Sequence, residues 1–413
     1  MKQVLALTFA FLTVSLPTDA QTFSVLYSFQ GKTDGSNPQA GLFLNAVYGT
    51  TFLGGDPTCA CGTVFELLLN GTFTTLHTFV GRDGANPAAG LVADAYGNLY
   101  GTTSQGGSFG AGTVFKLAPP ATLGGTWTES VLYNFTSGVD GAHPYAGLAQ
   151  DGIGNLYGTT NRGGAFNFGT LFKLDKFGNE VVLHSFRLSP DGAYPYAAVI
   201  LDSAGSLYGT TNGGGAFNSG TVFKLAAMYT ENVVHSFNGT TDGAYPISAL
   251  TLDPTGSLFG TANQGGSGQE GTIFKLTNKG RFSVLHTFKG ILQGANPAAG
   301  LILDSSGNFY GTTTEGGNLD DDGTIFELNP TTGSYTVLHA FASGNQGNYP
   351  YTGLIADSSG NLYGATESGG TARRGLLYRI TIPVGRDSLK GNHRSTIPSS
   401  TEATLNTKRE VGQ

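Results

Sequence analysis

Residues 299–341 read AGLILDSSGNFYGTTTEGGNLDDDGTIFELNPTTGSYTVLHAF. Four short runs of apolar and β-branched residues alternate here with turns rich in Gly, Asn, Asp and Ser. This pattern is typical of short β-strands joined by hairpins, and no helical period of 3.6 residues runs through it. The stretch therefore predicts four antiparallel strands, at residues 300–304, 308–313, 323–328 and 335–341.

The same unit recurs along most of the chain. A Tyr-Gly or Phe-Gly pair marks each copy, at Tyr48, Tyr100, Tyr157, Tyr208, Phe259, Tyr310 and Tyr363. Successive markers are 52, 57, 51, 51, 51 and 53 residues apart, and the longest interval contains an insertion around residues 119–127. Seven such units predict an all-β fold, a seven-bladed β-propeller of four-stranded antiparallel blades. A parallel β-helix is less favoured, because its coils are shorter and need no hairpins.

The two ends of the repeat region lack complementary strands. Residues 23–29 (FSVLYSF) resemble a fourth strand without the preceding three, and residues 375–380 (GLLYRI) resemble a third strand without a fourth. Pairing the two segments would leave no half-blade edge exposed. We therefore expect the N-terminal strand to close the propeller by completing the last blade.

The segments outside the repeats predict three parts: a signal peptide at 1–20, the propeller at 21–382 and a disordered tail at 383–413. Residues 1–20 combine Lys2, an apolar run and small residues at 18–20, as secretory signal peptides do. The apolar run is too short to cross a bilayer, and the tail is polar and rich in Ser and Thr. We expect an exported monomer (secreted, periplasmic or at the cell surface) with no transmembrane segment after signal cleavage.

Composition limits the classes of partner. Of 413 residues, 65 are Gly and 12% are charged, yet 39% are hydrophobic, so the chain has enough apolar surface for a core. The net charge is −7. That charge argues against nucleic acid and anionic lipid as partners, because both would repel the protein.

Several motifs recur in fixed order: DGANPAAGL at 83–91, GNLYGTT at 97–103, a Gly-Gly pair, and GTVFKL at 112–117. This arrangement resembles the tandem repeat of exported choice-of-anchor proteins, the GloVer-repeat family, over about residues 23–380. The resemblance implies an exported, propeller-like protein of unassigned activity, and it supplies no catalytic residues. Members of that family often end in a sorting or membrane anchor, whereas residues 383–413 have no apolar stretch.

Side chains that recur in every unit are interpreted as structural, because one active site does not need seven copies. Five histidines share one position of the fourth strand, where Tyr27 and Tyr133 stand in other units: His77, His184, His235, His286 and His339. We expect hydrogen-bonded rings there and no metal. The Asp-Gly turns have the same interpretation, since calcium binding lacks its Asp-x-Asp-x-Asp spacing; they begin at Asp34, Asp83, Asp140, Asp191 and Asp242. No cofactor is expected.

Cys59 and Cys61 interrupt the repeat inside a lengthened Gly-Gly loop. Two thiolates cannot complete a zinc site by themselves. In an exported chain we expect either a local disulfide or two separate thiols.

Three functions remain open, and no catalytic motif decides between them. The sequence contains no Gly-x-Ser-x-Gly, no His-Glu-x-x-His and no phosphate-binding glycine loop before a helix. The residues favour a binding or scaffold protein for a glycan or other small extracellular ligand over a hydrolase or lyase acting on a polysaccharide or metabolite. A structural cell-surface protein is the third option. An enzyme would draw on residues that break the repeat, which we interpret as solvated loop charges: His143, Glu270, Glu315, Asp320, Asp321, Asp322, Glu367 and Arg373.

The predicted binding face carries the Asp-Gly-x-x-Pro segments and the Gly-Gly loops. In an antiparallel blade both emerge on one side, and the former lead into the innermost strands. The residues flanking each Pro vary, and the aromatic ones are the predicted ligand-binding residues: His143, Tyr145, Tyr194, Tyr196, Tyr245, Tyr349 and Tyr351. Their rings suit stacking on sugars; the alternative is that they pack between neighbouring blades.

Overall fold

The computed structural model describes residues 21–43, 46–122, 124–226 and 231–382. This part of the chain forms seven four-stranded antiparallel sheets, a seven-bladed β-propeller as predicted. None of the described residues forms a helix with the length and apolar character that crossing a bilayer requires. The predicted signal peptide and C-terminal tail lie outside the described residues.

The strands follow the repeat along the chain. β1 (Thr22–Ser28) comes first, and the first complete blade contains β2 (Ser36–Phe43), β3 (Val47–Leu53), β4 (Thr63–Leu67) and β5 (Phe73–Thr78). The second contains β6 (Val92–Ala93), β7 (Leu99–Thr103), β8 (Thr113–Ala118) and β9 (Thr128–Asn134), and the third β10 (Ala149–Gln150), β11 (Leu156–Thr160), β12 (Thr170–Leu174) and β13 (Glu180–Ser185). The fourth contains β14 (Ile200–Leu201), β15 (Leu207–Thr211), β16 (Thr221–Leu225) and β17 (Glu231–Ser236), and the fifth β18 (Thr251–Leu252), β19 (Leu258–Ala262), β20 (Thr272–Leu276) and β21 (Phe282–Thr287). The sixth contains β22 (Ile302–Leu303), β23 (Phe309–Thr313), β24 (Thr324–Leu328) and β25 (Tyr335–Ala340), before β26 (Ile355–Ala356), β27 (Leu362–Thr366) and β28 (Leu376–Thr381).

The seventh sheet combines strands from both ends of the described chain. Its order is β1-β28-β27-β26, and β1 runs antiparallel to β28. Phe23 lies opposite Ile380, and Ser28 lies opposite Leu376. The outermost strand of this blade is therefore the first strand of the described residues.

The innermost strands are shorter than predicted. In blade 6 the strand spans Ile302–Leu303 and not 300–304, and the other inner strands from β6 onward also have two residues. The preceding residues bond to the neighbouring blade instead of their own: the Thr261 hydroxyl donates to the Ala299 carbonyl at 3.3 Å. The same bond joins Thr102 to Ala146 at 2.8 Å. Equivalent bonds tie the inner segment of each blade from 2 to 7 to the blade before it.

Aromatic rings fill the space between blades. The Phe that follows each fourth strand is at most 1% exposed and meets an aromatic ring on the third strand of the next blade. Phe135 and Phe172, for example, lie edge to face with centroids 5.1 Å apart. The Gly of each Tyr-Gly marker makes room for the third-strand ring: a Cβ on Gly311 would lie 2.6 Å from Phe326 Cζ. The marker is therefore a packing requirement of the blade.

The insertion lies between β8 and β9, so it lengthens a hairpin of blade 2. Its last residue, Trp127, packs against Tyr48 of blade 1 with ring centroids 6.3 Å apart. The insertion therefore contacts the neighbouring blade, which the sequence did not predict.

Candidate functional site

The inner segments of all seven blades surround a central cavity of about 310 Å³. Each Asp/Gln-Gly-x-x-Pro segment contributes the residue after its Pro, and from blade 2 onward the small residues that follow also line the cavity. In chain order, the residues after Pro are Gln39, Ala88, Tyr145, Tyr196, Ile247, Ala298 and Tyr351. Most of the remaining wall is Ala and Gly, so the three tyrosines are its largest side chains.

The three tyrosines present aromatic surface to the cavity. Tyr196 and Tyr351 are 40% and 46% exposed, and Tyr145 is half-buried. The rings of Tyr145 and Tyr196 lie 5.4 Å apart with planes inclined by 31°. A ligand entering the cavity would therefore meet flat apolar faces with hydroxyl groups attached.

The other four predicted residues precede Pro and do not line the cavity: His143, Tyr194, Tyr245 and Tyr349. Their backbone joins neighbouring blades, as when His143 N donates to Ala111 O at 2.8 Å and Tyr349 N donates to Asp322 O at 3.0 Å. The structure thus divides the predicted set into three cavity residues and four blade-junction residues.

The junction residues also have an unusual backbone. All seven residues before Pro have φ between 54° and 58°, a left-handed conformation that Asn tolerates better than Tyr or His. Asn occupies this position at Asn37, Asn86 and Asn296. Tyr245 and Tyr349 nevertheless hold it with side chains 39% exposed, so local backbone preference does not explain these tyrosines.

An arginine that the sequence analysis missed lies beside the cavity tyrosines. The Arg162 guanidinium stacks on the Tyr194 ring, with Cζ 4.4 Å from the ring centroid. Burial and Tyr196 raise the pKa of Tyr145, and the charge of Arg162 opposes that rise. The repeat could have revealed this residue: Arg162 is the only cation at its position, where blade 6 has Glu315.

Two carboxylates lie on the opposite side of the entrance to the central cavity, which we term the mouth. Glu315 accepts a hydrogen bond from Asn296 Nδ2 at 2.7 Å, and Glu367 accepts one from Asn37 Nδ2 at 3.3 Å. Burial raises the pKa of Glu315, helped by the charges of Asp321 and Glu270. Burial also raises the pKa of Tyr351, with further contributions from Glu367 and Glu315. The mouth is therefore cationic beside blades 3 and 4 and anionic beside blades 6 and 7.

The remaining repeat-breaking charges have local roles or face solvent. Asp321 accepts from Gly316 N at 2.6 Å, and Asp322 accepts from the Ser343 hydroxyl at 2.8 Å. Asp320 and Arg373 are exposed. Asp321 and Asp322 thus stabilise the Gly-Gly loop of blade 6, and Asp320 and Arg373 lie on the surface of the loops of blades 6 and 7.

The recurrent histidines lie in what we term outer sockets, at the outer edge of each blade junction. In each socket a fourth-strand ring faces the first or second residue of the next blade's fourth strand. The seven pairs are His77/Glu129, Tyr133/Glu180, His184/Glu231, His235/Phe282, His286/Tyr335, His339/Phe23 and Tyr27/Phe73, which we number 1 to 7. The aromatic pairs stack with centroids 3.7–4.0 Å apart and planes within 8°.

The Asp of the Asp-Gly turn bonds to the ring in five sockets. His Nε2 lies 3.1, 2.9 and 3.0 Å from Asp83, Asp191 and Asp242, and two tyrosine hydroxyls donate to Asp34 and Asp140 at 3.1 Å. This confirms the predicted hydrogen bonding for His77, His184 and His235. The prediction is wrong for His286 and His339. Their Nε2 atoms have no hydrogen-bond partner, because Gln replaces Asp in their turns. Burial lowers the pKa of both imidazoles to about 4.

Cys59 and Cys61 form a disulfide with Cα atoms 5.2 Å apart. Of the two alternatives that the sequence left open, the local disulfide is the one observed. It closes the lengthened Gly-Gly loop of blade 1.

Solved structures share this fold at low sequence identity. The extracellular domain of the "putative hybrid two component system BT3049" from B. thetaiotaomicron is 14% identical with a TM-score of 0.56, over 86% of this chain and 41% of that one. The GH74 xyloglucanase of Xanthomonas campestris is 14% identical with a TM-score of 0.54, over 86% of this chain and 55% of that one. A "putative 6-phosphogluconolactonase" from Bacteroides uniformis is 16% identical with a TM-score of 0.53, over 78% of this chain and 90% of that one.

The chain spans about two fifths of the length of the two-component extracellular domain. Likeness at these identities shows the fold alone, because propellers host many functions. No curated protein matches the chain in sequence.

The tandem unit itself matches a described repeat. The Gloeobacter/Verrucomicrobia repeat matches residues 12–223 and 196–409, two ranges that together include all seven blades. This match confirms the resemblance inferred from the recurring motifs. The chain belongs to the Gloeobacter/Verrucomicrobia repeat family.

Proposed function

We propose that this protein is an exported binding protein that recognises a neutral glycan at the mouth of its central cavity. The observation that carries the proposal is the placement of Tyr145, Tyr196 and Tyr351 around a cavity of about 310 Å³. Aromatic faces with attached hydroxyls match the apolar faces and hydroxyl edges of sugars. We expect the protein to act as a monomer.

The size of the cavity favours a chain end over a long flat polymer surface. Ligand pockets range from about 300 to 1,000 Å³, so this cavity lies at the small end and suits about one or two sugar units. Its wall of Ala and Gly leaves the ligand close to backbone groups. The three tyrosines would then provide most of the side-chain contact.

The charges at the mouth would orient the ligand. Arg162 lies near Tyr145, and Glu315 and Glu367 lie near Tyr351. Fixed donors on one arc and acceptors on the other suit a polar, uncharged ligand that can bond to both. A strongly anionic ligand would meet the two carboxylates unfavourably.

Export is part of the proposal. It rests on the charged, apolar and small-residue segments of residues 1–20. The fold is compatible with an extracellular glycan ligand, since it serves in a two-component extracellular domain and in a xyloglucanase.

The test is a glycan panel followed by calorimetry on the best binder. Changing Tyr145, Tyr196 and Tyr351 together to Ala should weaken binding at least tenfold, about 1.4 kcal/mol, with little change in Tm. Tyr96→Ala is the matched control, because Tyr96 is 85% exposed on a hairpin turn. A strong fall in Tm with unchanged binding would show that the tyrosines pack the blades and that the site lies elsewhere.

A second candidate function is glycan cleavage at the same mouth, favoured by Glu315. Its raised pKa suits a general acid. Turnover of a bound glycan that Glu315→Gln abolishes, with binding retained, would identify an enzyme. Binding without turnover would leave the binding protein as the function.

A further inference from the structure

Sockets 1 and 3 differ from the other outer sockets in chemistry. Each brings one imidazole and two carboxylates together: His77, Asp83 and Glu129 in socket 1, and His184, Asp191 and Glu231 in socket 3. Within each trio the candidate ligand atoms all lie within 4.8 Å of one another. In the described chain these two trios are the clusters with the residue types of a metal site.

Socket 3 contains buried oxygens that lack partners. The Asp191 side chain is only 9% exposed, and its Oδ1 has no hydrogen-bond partner although Oδ2 lies 2.9 Å from His184 Nε2. Glu231 Oε1 is also buried without a partner. Buried polar atoms are almost always satisfied in folded proteins, and two adjacent acidic side chains repel each other. A cation between them would satisfy both oxygens and remove that repulsion.

We propose that socket 3 binds a divalent transition metal, Zn²⁺ by preference, which fastens blade 3 to blade 4, and that socket 1 is a second such site. His184 belongs to β13, Asp191 to the connection between the blades and Glu231 to β17. One imidazole nitrogen and two carboxylate oxygens suit Zn²⁺, and water would complete its coordination. The imidazole disfavours Ca²⁺ and Mg²⁺, which prefer oxygen ligands.

The geometry needs a modest adjustment. Zinc binds these ligand types at about 2.0–2.2 Å, so its ligand atoms lie about 3.3 Å apart in a tetrahedron. The separations in the trio would close by at most about 1.5 Å, within the reach of a rotating Glu side chain. His184 would present Nε2 as an electron-pair donor, so its bond to Asp191 would be replaced by shared coordination.

Socket 1 repeats the arrangement in a more exposed setting. Its His77 and Asp83 side chains are 20% and 15% exposed, and Glu129 Oε1 lacks a partner. In socket 3 the nearby charge of Arg187 also acts on Glu231 and opposes cation binding. We therefore expect two sites of comparable affinity.

The sequence predicts no metal here, because the histidines recur from unit to unit and are interpreted as structural. The glutamates are not evident as partners from one unit, since they lie at or next to the start of the following fourth strand, about 50 residues later in the chain. Only the junction between blades brings the two positions together.

The test uses the untagged full-length protein, stripped with EDTA and titrated with ZnCl₂ by calorimetry. Two equivalents should bind, and because the two stabilisations add, Tm should rise by about 7 °C at a hundredfold excess over Kd, about half of it from each site. Glu231→Phe should remove one equivalent, and the pair Glu129→Phe with Glu231→Phe should remove both. These variants copy socket 4, where Phe282 stacks on His235 at 3.7 Å, so the fold should persist.

A gain-of-site variant protects the test against misfolding. Tyr133→His would complete socket 2, where Asp140 and Glu180 already stand, and should add one equivalent. A third equivalent in that variant would support the proposal even if a Phe variant unfolded, because damage does not create a site. No zinc binding to the wild type, or a stoichiometry unchanged by the Phe pair, would overturn the proposal.

Discussion

Glu180 in socket 2 is predicted to destabilise the folded protein at neutral pH, and Glu180→Phe should stabilise it. Burial, together with the charge of Asp140, raises the pKa of Glu180 to about 7. Its Oε1 has no hydrogen-bond partner. Socket 7 supplies the template for the substitution: it has the same Tyr and Asp, and there Phe73 stacks on Tyr27 with centroids 4.0 Å apart and planes 8° apart.

The pH dependence follows from the direction of the pKa shift. A folded-state pKa above the unfolded value of 4.5 means that the folded protein binds the proton more tightly. Stability is therefore lost as pH rises from about 4.5 to about 7. Above that range Glu180 is ionised in both states, and the loss of stability stays constant. One pKa unit corresponds to about 1.4 kcal/mol of stability. Because Glu180 keeps some exposure, solvent screens its charge, and the loss of stability on ionising it is about 2 kcal/mol.

Glu180→Phe removes this deficit and adds a stacked pair worth about 1 kcal/mol. The free energy of unfolding should rise by about 1 kcal/mol at pH 5 and by about 3 kcal/mol at pH 8. Urea unfolding of both proteins at the two pH values measures the difference directly. Comparing variant with wild type at each pH cancels the titration of Glu129 and Glu231, which both proteins share.

Two further variants separate the charge from the ring. Glu180→Gln should show the pH-dependent part without the stacking, and Phe73→Glu in socket 7 should lose more stability at pH 8 than at pH 5. A gain from Glu180→Phe that is equal at both pH values would refute the assigned pKa. A loss at both would show that socket 2 does not accept the ring.

Two other predictions concern the ends of the chain and the insertion. Deleting residues 21–30 should lower Tm far more than deleting 383–413, because β28 would lose its antiparallel partner β1; equal effects, measured by calorimetry, would contradict a closed ring. Replacing residues 119–127 with the Asn-Lys-Gly turn of 278–280 should keep unfolding cooperative. It should lower the free energy of unfolding by about 1–2 kcal/mol, because Trp127 no longer packs on Tyr48. A non-cooperative transition would show that the insertion belongs to the core.

The fold was predictable because its determinants are local and repeated. Alternating strands, turn residues and the Tyr-Gly marker each follow from neighbouring residues, and seven copies of the pattern reduce the chance of error. The inner strands were overestimated because Ala299 and its equivalents bond to the preceding blade, a contact that no single unit reveals. The Tyr-Gly pair was recognised as a marker, yet its cause, the contact of Gly311 with the Phe326 ring, is visible only in the packed sheet.

The candidate site was predictable only where the sequence breaks its own repeat in a conspicuous way. The residue after Pro varies from unit to unit, and the three tyrosines at this position line the cavity. Arg162 is equally irregular, but a single arginine in a loop resembles a solvated charge until Tyr194 is seen beneath it. The outer sockets are harder still to predict from the sequence. Each combines positions from two successive units, and neither position is unusual alone.

The distribution of socket types follows from how the ring is held together. The backbone connects blades 1 to 7 in sequence, but β1 reaches its blade through hydrogen bonds to β28 and not through a hairpin. Both sockets that involve β1 are stacked pairs: Phe23 lies 4.0 Å from the His339 ring, and Tyr27 lies 4.0 Å from the Phe73 ring. The glutamate sockets lie only at the junctions between blades 1 and 4, where the chain is continuous. Stacked rings thus hold the one described strand that no hairpin joins to its blade, and the glutamate sockets occur where the backbone already joins the blades.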